Sequence, residues 1–160
     1  MYRTIVGLGG NLGDRLAHLR AGVRALGLVG VVEGVSSVYE TEPVGPPQPR
    51  YLNAAVLLET ALDAEALLDE LLGIEASEGR ERRERWGART LDLDVLWIEG
   101  RAMRTARIEV PHPALRERAF AVVPLVELVP DAIDPLTGQR YADLALDVRS
   151  VRRLDDRLDQ

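Results

Sequence analysis

Apolar positions along the chain recur first at every second residue, then at every third or fourth, and this rhythm predicts the elements. Residues 2–9 read as a strand. Leu12, Leu16, Leu19, Val23 and Leu26 then mark one face of a helix. Asn11 or Gly13 is expected to start it, Asp14 to sit in its first turn, and Gly27 and Gly30 to end it. Residues 31–40 predict a second strand and residues 51–60 a third. In the third, Tyr51, Asn53, Ala55 and Leu57 share one face, and Leu52, Ala54, Val56 and Leu58 share the other. Both faces are mostly apolar, so this strand belongs inside the sheet, where the Asn53 amide needs a hydrogen-bond partner. Asp63 caps a second helix through Leu67, Leu68, Leu71, Leu72 and Ile74, with Glu75 at its end. From Leu91 the alternation returns: Leu91, Leu93, Val95 and Trp97 fall to one side, Asp92, Asp94 and Leu96 to the other. A turn at residues 99–101 and a returning strand over 103–110 follow. A helix opens near residues 111–120 with Pro113 in its first turn, and a short apolar helix lies between Pro124 and Pro130. A short helix near residues 141–146 and a charged tail complete the order, without repeats or low-complexity tracts.

The candidate chemistry lies where the last long strand begins. Asp92 and Asp94, two residues apart on a strand, project in parallel about 7 Å apart and repel each other. A divalent cation removes that repulsion, and Mg²⁺ favours one or two carboxylates completed by water and phosphate oxygens. Just upstream, Arg85 and Arg89 flank Trp86-Gly87 and offer rigid donor forks suited to phosphate. Without those arginines the acidic pair would read as a solvated strand face. Residues 79–85 form a charged run, either a solvated segment or an arginine arm over polyphosphate; the adjoining acidic pair favours the arm. The stretch 41–50 holds four prolines and Gly45, a stiffened loop that suits a lid or a plain crossover. Tyr51 and Asn53, side by side next to it, would suit a flat heterocycle. Gly7 and Gly9 resemble the start of a dinucleotide fingerprint, but Leu12 stands where its third glycine belongs. His18 reads as a boundary residue. His112, held between two prolines near a helix N-terminus, favours an anion.

Composition narrows the field. The chain has 160 residues, 46% apolar and 29% charged, with net charge −6. This is an ordinary globular mix, read as one domain over 1–160, with little affinity for nucleic acid or anionic membrane. Cysteine is absent, so disulfides and thiol ligands are excluded. No apolar run reaches membrane-spanning length and no secretion signal is evident, so a cytoplasmic location is expected. All 20 basic residues are arginine, which excludes a P-loop or Schiff-base lysine. Scarcity of Asn, Cys and Met is a thermophile's composition, although lysine-to-arginine replacement equally follows from genomic base bias. Asparagine survives only at Asn11 and Asn53, and histidine only at His18 and His112.

Five blocks, in order, resemble the 6-hydroxymethyl-7,8-dihydropterin pyrophosphokinase family of folate biosynthesis. They are residues 9–14 (Gly-Gly-Asn-Leu-Gly-Asp), 37–43 (Ser-Val-Tyr-Glu-Thr-Glu-Pro), 51–55 (Tyr-Leu-Asn-Ala-Ala), 85–94 (Arg-Trp-Gly-Ala-Arg-Thr-Leu-Asp-Leu-Asp) and 110–113 (Val-Pro-His-Pro), the last continuing through Arg118-Ala119-Phe120 to Pro124-Leu125. The resemblance implies an α+β sandwich, a ferredoxin-like antiparallel sheet with helices packed on it. It implies transfer of pyrophosphate from ATP to the pterin hydroxymethyl group, releasing AMP, with two Mg²⁺ ions held by Asp92 and Asp94. It places Tyr51 and Phe120 around the pterin ring, with Thr41, Asn53 and the proline loop at Val44 along its edge. Arg85, Trp86, Arg89, His112 and Arg118 would line the ATP site, with Glu75 a weaker member. Arg80 and Arg82 would lie on the mobile arm, and Arg80 with Arg89 would stabilise transition-state charge. Ala88 stands where members often have proline, Arg83 where lysine is common, and both loops are about one residue short. The competing readings are a phosphohydrolase using the same acidic pair, or a non-catalytic ligand- or RNA-binding module. One phenylalanine and the negative charge disfavour RNA. Partners are thus the two small-molecule substrates, and the sequence leaves oligomeric state open.

Overall fold

The computed structural model describes residues 1–43, 47–79 and 90–159. In chain order it contains β1 (Tyr2–Gly10), α1 (Arg15–Leu26), β2 (Val31–Val35), β3 (Tyr39–Thr41), β4 (Tyr51–Thr60), α2 (Ala64–Ser77), β5 (Asp92–Ile98), β6 (Met103–Arg104), β7 (Glu109–Val110), α3 (Ala119–Leu128) and β8 (Arg152–Arg153). Among the described residues, one antiparallel sheet runs β5-β1-β4-β3-β8, with β2 also on β4, and β6 and β7 pair separately. The β-α-β-β-α-β order with β1 between β5 and β4 is the ferredoxin-like arrangement. The expected α+β fold is therefore present, with α3 added on the second face.

β4 is central, bonded to β1, β2 and β3, as its two apolar faces predict. Leu52, Ala54, Val56 and Leu58 join Val6, Leu8 and Leu93 against the α1 and α2 side chains Leu19, Leu26, Leu67 and Leu71. Ala55 and Leu57 join Ile5, Leu96, Trp97, Ala121, Val122 and Leu125 in a second core under α3. Two cores on opposite faces follow from side chains alternating across each strand.

Several elements depart from the periodic reading. Helix α1 starts later than expected: the Asp14 side chain caps it, accepting from Ala17 N at 3.1 Å, and Leu12 is outside it. The single strand expected over 31–40 splits into β2 and β3, because residues 36–38 face only Ala54 and Ala55 of β4. Ser36 fills the interruption, its N–H donating to Ala55 O and its Oγ accepting from Ala55 N. A bulge at Leu96, between the Ile5–Trp97 and Val6–Val95 pairs, turns Trp97 to the α3 face with Leu96. The alternation had placed Trp97 with Val95, since one inserted residue reverses every later side chain. Glu75 lies inside α2, which runs on to Ser77. The strand expected over 103–110 is only the short β6–β7 hairpin. Around residues 115–117 there is a single 3₁₀ turn, and α3 then runs straight through Pro124 as one helix. A 3₁₀ turn at Tyr141–Asp143 stands where a short helix was expected. The tail is structural: β8 pairs with β3, and Leu158 is buried in the first core.

α3 is fastened to β3 by one carboxylate. Glu127 Oε2 accepts from Ser37 N at 2.8 Å and from Ser37 Oγ at 3.1 Å, and Glu127 Oε1 accepts from Tyr39 Oη at 2.5 Å. Burial, with the adjoining Glu127 carboxylate, pushes the Tyr39 phenol up to about 12 from its ordinary 10.0. Burial raises Tyr141 as well. Folded Tyr39 keeps a proton that the unfolded chain releases above pH 10, so its contribution to stability is full below pH 10 and is lost as pH rises through about 12. With no lysine to titrate in that window, denaturant unfolding as a function of pH should show a falling stability above pH 10 that Tyr39→Phe makes shallower, the remaining slope coming from Tyr141; an unchanged slope in the variant would contradict the assignment.

Candidate active site

Three strands bring the polar residues of the second sheet face into register. Across the sheet, Asp92 of β5 pairs with Gly9 of β1, Gly9 with Asn53 of β4, and Asn53 with Tyr39 of β3. One step along, Asp94 pairs with Gly7, and Gly7 with Ala55. Thr41 pairs with Tyr51. Paired residues project to the same side of a sheet, so Asp92, Asp94, Asn53, Tyr51 and Thr41 share the α3 face. Asp92, Asp94 and Tyr51 are half-buried, whereas Thr41 and Asn53 are buried. The partner demanded for Asn53 is Thr41: Asn53 Nδ2 donates to Thr41 Oγ1 at 2.8 Å.

Gly9 of β1 adds no side chain between Asp92 and Asn53, and Gly7 leaves room for the Leu96 side chain. A Cβ on Gly9 would lie 3.1 Å from Asn53 Oδ1, and one on Gly7 would lie 2.9 Å from Leu96 Cδ1. Sequence reasoning set these glycines aside as a failed nucleotide fingerprint and read the stretch as a tight strand-to-helix turn. Their two-residue spacing on a strand was the signal that both omit a side chain from the same face.

β5 is an edge strand, and two of its outward backbone groups are taken up by other elements. Glu75, 3% exposed, accepts from Leu93 N through Oε2 at 2.7 Å. Leu93 is the residue between the two aspartates, so Glu75 holds the backbone that aims them. Leu96 O accepts from His112 N at 2.9 Å. This bond seats the Pro111-His112-Pro113 segment against the strand, following a cis Val110–Pro111 bond. Burial, reinforced by the Arg118 charge, pushes His112 below its ordinary 6.5, while Asp92 and Glu109 pull it the other way. His112 Nδ1 accepts from Ala114 N at 3.2 Å, which leaves Nε2 as the protonated, donating nitrogen of a neutral ring. Arg118 precedes α3, and its guanidinium lies 5.7 Å from the centroid of Phe120, a half-buried residue in the first turn.

The proline loop is tied down by residues that periodicity did not mark. Asn11 Nδ2 donates to Gln48 Oε1 and to Pro49 O, each at 2.9 Å. Arg15 donates to Arg50 O and to Glu40 Oε2, both at 3.0 Å. The available signal was rarity, since Asn11 is one of two asparagines. His18 is the boundary residue expected, 3.0 Å from Glu78 Oε1. Thus Asp92, Asp94, Thr41, Tyr51, Asn53, Phe120, His112, Arg118 and Glu75 belong to elements around one face or edge of the sheet. Val44, Arg80, Arg82, Arg85, Trp86 and Arg89 lie outside the described residues.

A sequence model of the 7,8-dihydro-6-hydroxymethylpterin-pyrophosphokinase family matches residues 5–130. The chain belongs to this family. It is 45% identical to a 2-amino-4-hydroxy-6-hydroxymethyldihydropteridine pyrophosphokinase of Synechocystis over 89% of its own length and 74% of that protein's. It is 40% identical to the Methylorubrum extorquens protein of the same name, over 97% of its own length and 100% of the other's. The Plasmodium falciparum HPPK-DHPS crystallised with pteroate shares the fold with TM-score 0.72 at 13% identity; the match covers 89% of this chain and 41% of that longer one. An HPPK-DHPS crystallised with substrates gives TM-score 0.66 at 12% identity, over 88% and 42%. As a pyrophosphokinase, the chain carries an acidic pair and a Thr41–Asn53 amide on one glycine-floored face.

Gly9→Ala tests that floor. The methyl group crowds Asn53 Oδ1 and should reduce stability by about 1–3 kcal/mol in denaturant unfolding. In an Asn53→Ala background, where the space is open, the same change should cost much less.

Proposed function

We propose that the chain transfers pyrophosphate from ATP to the hydroxymethyl group of 6-hydroxymethyl-7,8-dihydropterin, releasing AMP, as a single catalytic domain over residues 1–160. The observation that carries this reading is the row Asp92–Gly9–Asn53, in a chain whose relatives are pyrophosphokinases. In the reaction the hydroxyl oxygen bonds to the β-phosphorus, the bond from that phosphorus to the oxygen bridging to the α-phosphorus breaks, and the hydroxyl proton is lost. Such transfers depend on positioning and charge neutralisation more than on covalent groups of the protein.

The donor set suits Mg²⁺. The described residues include no cluster of three or more acidic or histidine groups able to hold a metal. Asp92 and Asp94 offer two carboxylates from one strand face, a number that Mg²⁺ combines with water and phosphate oxygens. They would hold two ions, which supply charge neutralisation at the triphosphate and polarisation of the hydroxyl.

The chain's own residues do the rest. Asn53, oriented by Thr41, presents its carbonyl oxygen to the pterin edge with the loop at Val44, and Tyr51 and Phe120 pack on the ring. His112 donates through Nε2 to nucleotide oxygens, and Arg118 adds positive charge beside it. Arg85, Trp86 and Arg89 complete the ATP site, while Arg80 and Arg82 close over the phosphates and exclude water, Arg80 acting with Arg89 on the developing charge. Glu75 acts by holding β5. No described helix is long and apolar enough to cross a membrane, and the reading calls for a cytoplasmic enzyme working on two small molecules.

The test is to mix the protein with ATP, Mg²⁺ and the reduced hydroxymethylpterin. AMP and the pterin diphosphate should appear together; ADP or free phosphate in their place would overturn the proposal. Asp92→Ala and Asp94→Ala should each lose orders of magnitude in rate while pterin binding by fluorescence stays nearly intact, and near-normal turnover in both would remove the metal assignment.

A further inference from the structure

Helix α3 has an unusual mechanical problem. Its sequence, Ala-Phe-Ala-Val-Val-Pro-Leu-Val-Glu-Leu, contains one polar side chain, Glu127. Its face toward the sheet meets apolar partners, Ala55, Leu57, Ile5 and Trp97. Apolar contact is non-directional, so it holds such a helix on the sheet without fixing where along the sheet it stands. Pro124 weakens the helix further, since it has no N–H to donate to the Phe120 carbonyl four residues earlier. The turn carrying Phe120 is thus joined to the rest of α3 with one bond fewer.

The directional contact that remains is Glu127. Its carboxylate takes three hydrogen bonds, two from Ser37 and one from Tyr39. Tyr39 pairs directly with Asn53, and Thr41 follows two residues later on the same face. Phe120 precedes Glu127 by seven residues, nearly two turns, so both project from almost the same side of the helix about 10 Å apart along its axis. One carboxylate thereby refers the position of Phe120, and of Arg118 stacked on it, to the strand that carries Thr41.

We propose that Glu127 is a positioning residue of the pterin site: gripped by Ser37 and Tyr39, it sets the register of α3 over the sheet and so places Phe120 opposite the Thr41–Asn53 pair. The inference rests on the pterin reading of that site. The Tyr39 phenol is held protonated to high pH, and so stays a donor to Glu127 under ordinary conditions. Glutamine retains the geometry: its oxygen accepts from Ser37, and its N–H donates to Tyr39 Oη. Alanine removes every leg.

Phe120 is the only phenylalanine in the chain, so protein grown on 4-fluorophenylalanine gives a single ¹⁹F resonance reporting on the first turn of α3, with no substrate present. Glu127→Ala should shift or split that resonance at a temperature where circular dichroism shows the protein folded, and Glu127→Gln should restore it. In unlabelled protein, Glu127→Ala should weaken pterin binding by about tenfold and Glu127→Gln much less. Combined with Phe120→Ala, Glu127→Ala should add little, because both act through the same ring. An unmoved resonance, or pterin losses that multiply in the double variant, would overturn the proposal. If Glu127→Ala does not fold, Tyr39→Phe takes its place with the same readouts. Failure of the unaltered protein to bind pterin would instead overturn the substrate reading, and the ¹⁹F comparison would still decide the placement of α3.

Discussion

Two negative charges held side by side on a strand are the constraint around which this protein is arranged. Asp92 and Asp94 repel each other through the short distance that strand geometry imposes, and the fold maintains them there by fixing their backbone on both sides. Inward, β5 is bonded to β1. Outward, where an edge strand would leave its amides to solvent, the buried Glu75 takes the Leu93 N–H and the His112 segment takes the Leu96 carbonyl. A strand secured at both edges cannot relieve repulsion by twisting away. Neutralising charge relieves the repulsion, and in the proposed reaction a dication and a triphosphate would supply it together.

The neighbouring strand contributes by what it lacks. Gly9 faces Asp92 without a side chain, and Gly7 makes room for Leu96 beside Asp94. On the far side of Gly9 the amide of Asn53 is held by Thr41. Acceptor, bare floor and acidic pair thus follow one another across three hydrogen-bonded strands, a spacing set by the sheet and insensitive to side-chain rotamers. This rigidity suits a transfer reaction in which placement supplies most of the rate.

α3 and the C-terminal tail make the second face usable. α3 buries the lower part of that face and carries Phe120 at its first turn, while Glu127 refers it to β3. β3 is in turn backed by β8, and Leu158 anchors the tail in the opposite core. Residues 152–158 are therefore part of the frame that supports Thr41.

The acidic pair, the central position of β4 and the need of Asn53 for a partner were legible in the sequence because each follows from local rules: two-residue alternation, apolar content on both faces, and the cost of a buried amide. The family was legible because its motifs are contiguous runs of residues. Other features depended on distant segments. The bulge that turns Trp97 over, the division of residues 31–40 into two strands, the capture of the Leu93 N–H by Glu75 and the pairing of the charged tail with β3 each join residues far apart in the chain. No local periodicity encodes which backbone groups a neighbouring strand leaves unsatisfied. That is settled only when the strands are aligned, and the bulges, edge bonds and buried carboxylates are the ways in which the aligned chain satisfies them.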